Sequence, residues 1–162
     1  MHKAAGVPVL TLLLLGGCGG ESGNESNEPS EPLPTAATLG EQTVMSAAEY
    51  LSAAPYVDAD RQRGQRQAQL CRACHTLEAG GANMLGPNLH GFFGEQVGIR
   101  EGFDYSQAVQ EADFVWTPRA LDAWLAQPAG FLPGNRMTFA GVNRQADRDA
   151  LIAYLLEATE SE

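Results

Sequence analysis

"QLCRACHTLEAGG", residues 69–81, holds two cysteines three positions apart and a histidine directly after the second. Cys71, Cys74 and His75 form the C-x-x-C-H pattern of c-type haem attachment. Two thiols add across the two vinyl groups of a porphyrin, so their separation must match the vinyl spacing. His75 is then held under the iron and binds it through Nε2. The same spacing fits half of a zinc site or a dithiol redox pair. Zinc wants four ligands, usually from a second C-x-x-C or a C…H pair. A thioredoxin-like pair wants a βαβ setting. The chain offers neither, and one covalently attached haem c is the expected cofactor.

The remaining cysteine, Cys18, closes an apolar run. Met1-His2-Lys3 is a short positive start, and Ala4 to Gly17 is mostly apolar. The run is shorter than the roughly 20 residues a spanning helix needs. Its ending, "LTLLLLGGC", resembles a bacterial lipobox, which implies cleavage before Cys18 and a diacylglyceryl group on its thiol. Residues 1–17 are therefore expected to be a lipoprotein signal peptide. Lipid on Cys18 would then hold the protein to the periplasmic side of a bacterial membrane. With Cys18 lipidated and two cysteines on haem, none of the three remains for a disulfide.

The 162 residues carry a net charge of −10, which disfavours nucleic acid as a partner. Residues 18–55 read as the lipidated cysteine plus an acidic, flexible linker rich in Gly, Ser, Asn, Glu and Pro. Within it, Ser46-Ala47-Ala48-Glu49 fits a capping box opening a short helix towards Ala54. Residues 56–162 read as one all-α domain. Asp58–Cys71 lacks proline and can be helical, and Ser106–Glu111 suits a short helix. Thr117-Pro118 gives an N-cap and a first-turn proline, followed by the stripe Leu121, Trp124, Leu125. Asn143 can cap a last helix with Leu151, Ile152, Leu155 and Leu156 on its buried face. Residues 76–104 and 129–142 are glycine-rich and read as loops. Such a core is thin, and a large apolar cofactor would fill it.

A six-coordinate iron needs a second axial ligand. The residues leave His90, Met45, Met84 and Met137 as candidates. From about Asp58 to Thr159 the chain resembles class I cytochromes c of the mitochondrial and short-chain bacterial group. The matching stretches are "CRACHTLEAGGANMLGPNLHGFFG", "GFDYSQA", "WTPRALDAWLAQP", "LPGNRMTFAG" and "DRDALIAYLLEAT", in family order and spacing. The resemblance implies the cytochrome c fold, with helices wrapped around the haem and long glycine-rich loops. It implies that Met137 supplies the distal sulfur, a soft donor that favours Fe(II) and raises the potential. A bis-histidine site using His90 is the runner-up. It further implies that Pro87 accepts the Nδ1 proton of His75 and that Tyr105 and Trp116 donate to a haem propionate. It places Trp124 beside the haem near Met137, where relatives usually carry tyrosine, and Gly64 and Leu151 at the crossing of the first and last helices.

Some positions depart from the family. Glu95 stands where relatives usually carry an arginine beside the propionates, with Arg100 as a possible substitute. Val109 and Asn135 replace polar and hydroxyl residues. Gln67 and Ala68 stand where relatives place an aromatic, a gap for Tyr56 or the 47–54 segment to fill.

With both axial positions filled, the iron cycles one electron and is not an enzyme site. The expectation is a membrane-tethered carrier between a quinol-cytochrome c reductase type donor and a terminal oxidase or reductase type acceptor. A fixed haem subunit of a larger oxidoreductase, and a catalytic or gas-sensing haem with a labile Met137, are the alternatives. Mitochondrial relatives dock through lysines. Residues 56–162 have none and a net charge of −5, from 14 acids and 9 arginines, so weak salt dependence or a basic partner is expected.

Overall fold

The computed structural model describes residues 1–2 and 32–160. Cys18, the rest of the expected signal peptide and the linker as far as residue 31 lie outside the described residues. Among the described residues the chain forms six α-helices and one 3₁₀ turn. The only ladder pairing there is an isolated antiparallel bridge between Gln96 and Val115. No described helix is long and apolar enough to cross a membrane.

Four of these helices start where short polar side chains satisfy free N–H groups. Helix α1, Ala47–Leu51, opens with a full capping box. Glu49 accepts from the Ser46 N–H at 2.8 Å and Ser46 Oγ accepts from the Glu49 N–H at 3.2 Å. Asp60 caps α2, Arg61–Arg72, and Ser106 caps α3, Gln107–Gln110. Thr117 caps α4, Pro118–Ala126, with Pro118 in the first turn. Some details differ from the sequence reading. Helix α1 stops at Leu51 and does not continue to Ala54. Pro128–Phe131, expected to be loop, forms the one-turn helix α5, because a proline's fixed φ suits a first helical turn. The last helix, α6, Gln145–Ala158, has Arg144 and not Asn143 at its N-cap, with no side-chain cap bond.

Helices α2 and α6 cross at Gly64. A Cβ there would stand 2.0 Å from the Ala150 carbonyl oxygen and 2.7 Å from Tyr154 Cβ. Backbone cannot yield as a flexible side chain can, so glycine sets the depth of the crossing. Beneath it Leu151, Ile152, Leu155 and Leu156 are at most 2% exposed. Arg61–Glu157 at 2.6 Å and Arg63–Asp147 at 3.0 Å join the helices at their rims.

Part of the expected linker lies on this core. Leu39 is 2% exposed, and Ala47, Tyr50 and Leu51 pack on the core cluster. The Gln42 side-chain amide acts as an added strand residue. Its Nε2 donates to the Val115 carbonyl at 2.8 Å and to Thr117 Oγ1 at 3.0 Å, and its Oε1 accepts from the Val115 N–H at 3.0 Å. Arg119 donates to the Leu39 carbonyl. Residues 35–54 thus form a strap, a feature that composition alone does not reveal. Tyr56 is buried in the same cluster as Ala68, so aromatic bulk enters from outside α2.

Two outcomes follow from this packing. Leu39→Ala is expected to cost about 2–5 kcal/mol in denaturant unfolding, the range for truncating a buried leucine; a strap lying loosely on the surface would cost nearly nothing. Burial, then Asp122 and Asp149, raises the Tyr56 phenol above its ordinary pKa of 10.0. The unfolded chain therefore releases this proton first, and stability falls as pH rises past about 10, by up to about 1.4 kcal/mol per pH unit. Tyr56→Phe is expected to flatten that slope in unfolding curves taken between about pH 9 and 11.

Candidate functional site

Helix α2 delivers the motif. Its last turn contains Cys71, and the chain continues in a tight turn. The N–H groups of Cys74 and His75 both donate to the Cys71 carbonyl, at 3.0 and 2.9 Å. Both cysteines are free thiols and partly buried. Burial pushes the Cys71 thiol up to about 11, so it is neutral at physiological pH. His75 is fixed from the opposite loop, its Nδ1 lying 2.7 Å from the Pro87 carbonyl oxygen. A carbonyl can only accept, so Nδ1 carries the proton and Nε2 keeps its lone pair. Burial lowers the His75 pKa, partly offset by the Pro87 bond.

A polar knot holds Pro87 in place. Asn88, 9% exposed, donates through Nδ2 to Thr76 Oγ1 at 2.7 Å and to the Glu78 carbonyl at 3.0 Å. Its backbone N–H donates to Asn83 Oδ1 at 2.9 Å. Gly86 closes the loop on the imidazole. It donates to the Cys74 carbonyl at 2.9 Å, and a Cβ would stand 2.2 Å from His75 Cε1.

Met137 is held from two sides. Asn135 donates through Nδ2 to the carbonyls of Pro128, at 2.9 Å, and Leu132, at 2.8 Å, and its Oδ1 accepts from the Met137 N–H at 2.9 Å. The side chain receives a hydrogen bond at Sδ from Trp124 Nε1, at 3.2 Å. Three other rings fix that indole in a closed cycle. Phe114–Trp116, Trp116–Trp124, Trp124–Phe131 and Phe114–Phe131 are all edge-on, with centroids 5.0–5.9 Å apart. The other methionine candidates differ. Met45 and Met84 are 41% and 50% exposed. His90 has its backbone tied to Asn88 and Arg100.

The His75 and Met137 supports meet at a third cluster. Asn83 donates to the Glu101 carbonyl at 3.1 Å, and Trp116 donates its backbone N–H to the Glu95 carbonyl at 2.9 Å. Between them Arg100 pairs with Glu95 at 2.8 Å. The Tyr105 hydroxyl lies against the Arg100 backbone, and burial raises its pKa. Arg100 Nε is buried and has no hydrogen-bond partner among the described residues.

These features define the class: an all-helical protein with two free thiols, an imidazole with one ring nitrogen available, and an N–H-bonded thioether. Comparison with known proteins gives the family. No family model matches the chain. A cytochrome c homolog of Bradyrhizobium diazoefficiens is 43% identical over 100 residues, 61% of this chain and 54% of that protein. The chain thus spans about half of that relative. Cytochrome c of Kluyveromyces lactis is 35% identical over 106 residues, 65% of this chain and 96% of its own length. That of Trypanosoma brucei brucei is 49% identical over 76 residues, 47% of this chain and 82% of its own. The chain belongs to the cytochrome c family, whose members are electron carriers with one covalently bound haem c.

The residues fit that group. The thiols are unpaired, Gly86 leaves room only for a flat imidazole, and Arg100 Nε is a buried donor without an acceptor. Sequence reading did not foresee the hold of Asn135 on the Met137 loop. A glycine-proline loop followed by an amide residue was the available signal. Gly86→Ala is expected to lower the haem-to-polypeptide ratio about tenfold, since displacing the imidazole costs on the order of 1–3 kcal/mol. Pyridine haemochrome absorbance against total protein measures it.

Proposed function

We propose that this chain is a membrane-tethered monohaem cytochrome that carries single electrons on the periplasmic side of a bacterial membrane. In this reading His75 and Met137 would hold the haem iron, Cys71 and Cys74 would carry the thioether bonds, and lipid on Cys18 would be the anchor. The observation that carries it is the His75 Nδ1–Pro87 contact at 2.7 Å, which leaves Nε2 as the one basic ring nitrogen. When bound, the haem supplies a one-electron Fe(III)/Fe(II) couple.

The chain's own residues tune and guard that couple. The Pro87 carbonyl orients the imidazole and raises its basicity. A thioether has two lone pairs. The Trp124 N–H engages one and draws density from the sulfur, so the other would be a weaker donor, which would disfavour the electron-poor Fe(III) state. The indole can only donate, so this bond keeps one direction. Asn135 holds the loop so that the sulfur is not readily released. A donor of quinol-cytochrome c reductase type and an acceptor of terminal oxidase or reductase type suit a carrier on a tether, which raises effective concentration without tight docking.

A redox titration of the native membrane-bound protein, with absorption recorded throughout, tests this. The expected result is a single one-electron wave at positive potential, with a Met–iron charge-transfer band in the oxidised form. Trp124→Phe is expected to keep the band and lower the midpoint by about 20–45 mV, from the ~0.5–1 kcal/mol difference one hydrogen bond makes. A strongly negative midpoint, or no such band, would defeat the Met137 assignment. Cys18→Ser is expected to move the protein out of the membrane fraction.

A further inference from the structure

We infer that Arg100 and Glu95 form a charge-exchanged propionate anchor, in which Arg100 supplies the cation to a haem propionate and Glu95 is its positioning residue. Glu95 stands where relatives usually carry the arginine. An acid alone at that place would repel a carboxylate. The structure shows that it is not alone: Arg100 Nη2 lies 2.8 Å from Glu95 Oε2 and also donates to the His90 carbonyl. Two contacts hold Nη2. Nε, the neighbouring donor on the same edge of the guanidinium, is buried and unpartnered among the described residues.

A guanidinium N–H without an acceptor is costly to bury, and most buried donors find one. Among the described residues nothing protein-borne meets this donor. The haem of this family brings two carboxylates, acceptors of complementary charge for a donor that Glu95 leaves unmet. The surroundings agree. Tyr105 abuts the Arg100 backbone, and Trp116 is bonded to the Glu95 backbone. These are the two residues that the family resemblance directs to the same propionate, so the inference rests on that part of the proposed site. An arginine fork suits a carboxylate, and its fixed plane makes orientation by Glu95 effective.

The two charges act on the iron with opposite sign. A nearby cation disfavours Fe(III), and a nearby anion favours it. Spectroelectrochemical titration of the haem-loaded protein at pH 7 separates them. Arg100→Gln is expected to lower the reduced-to-oxidised ratio at fixed potential by about three- to tenfold, or ~28–59 mV at 59 mV per tenfold. Glu95→Gln is expected to raise the ratio by a similar factor. Arg100→Lys keeps the charge but loses the fork, and is expected to fall between native and Arg100→Gln. An Arg100→Gln ratio within about 1.5-fold of native, or shifts of the same sign for Arg100→Gln and Glu95→Gln, overturns the inference. The Met–iron charge-transfer band reports separately: its absence from the native protein would sink the axial assignment, while the paired shifts would still decide the anchor.

Discussion

The contact between Gly64 and the Ala150 carbonyl governs the rest of the molecule. Helix α2 runs directly into Cys71, Cys74 and His75, so whatever fixes α2 fixes the attachment motif. A methyl group at position 64 would meet backbone at 2.0 Å, and α2 could not then reach its present depth. α2 is largely polar, burying only Gly64 and Ala68, and has little apolar surface of its own to hold it. The close crossing and the leucine-rich face of α6 do that work together. The rim ion pairs are partly exposed and add little.

The two halves of the site are supported by different physics. The His75 half is polar: Asn88, Asn83 and Thr76 tie loop carbonyls and amides together so that one carbonyl, of Pro87, points at one nitrogen. The Met137 half is aromatic: a closed cycle of four edge-on rings locks the indole that bonds to sulfur. Edge-on pairs are worth roughly 0.5–1.5 kcal/mol each beyond their buried area. A hard hydrogen-bond frame suits an imidazole whose tautomer must be fixed. A stiff apolar frame suits a weak, soft donor that water would otherwise solvate.

Much of this was legible before any coordinates. Ser46 with Glu49, and Thr117 with Pro118, announced α1 and α4 through capping chemistry that is local in sequence. The apolar stripe of α6 announced its buried face. The features that were not legible are long-range or ambiguous. Gln42 binds Val115 across 73 positions, and no periodicity marks such a contact. Pro128 signals equally the end of one helix and the first turn of another. Asn143 and Arg144 compete for one N-cap, and local propensity favours the wrong one. The link between His75 and Pro87 was reachable only through family resemblance. The bare motif points to a haem but says nothing of the loop that orients its imidazole.

Charge gives the last link between structure and role. Residues 56–162 hold 9 arginines, and seven of them, at 61, 63, 72, 100, 136, 144 and 148, sit within 4.0 Å of a carboxylate. Arg72, between the two cysteines, is paired with Glu78 at 2.5 Å, and Arg136, beside Met137, with Asp104 at 3.2 Å. The cations nearest the motif and the Met137 loop are therefore neutralised locally, and the excess acids set the far field. A carrier built this way gains no steering towards an acidic partner, since steering scales with the uncompensated charge of the approaching face. The proposed tether would answer that deficit. It would supply local concentration by geometry, which salt does not screen, rather than by charge attraction, which salt does. The acidic surface and the proposed lipid anchor are thus two sides of one solution to the encounter problem.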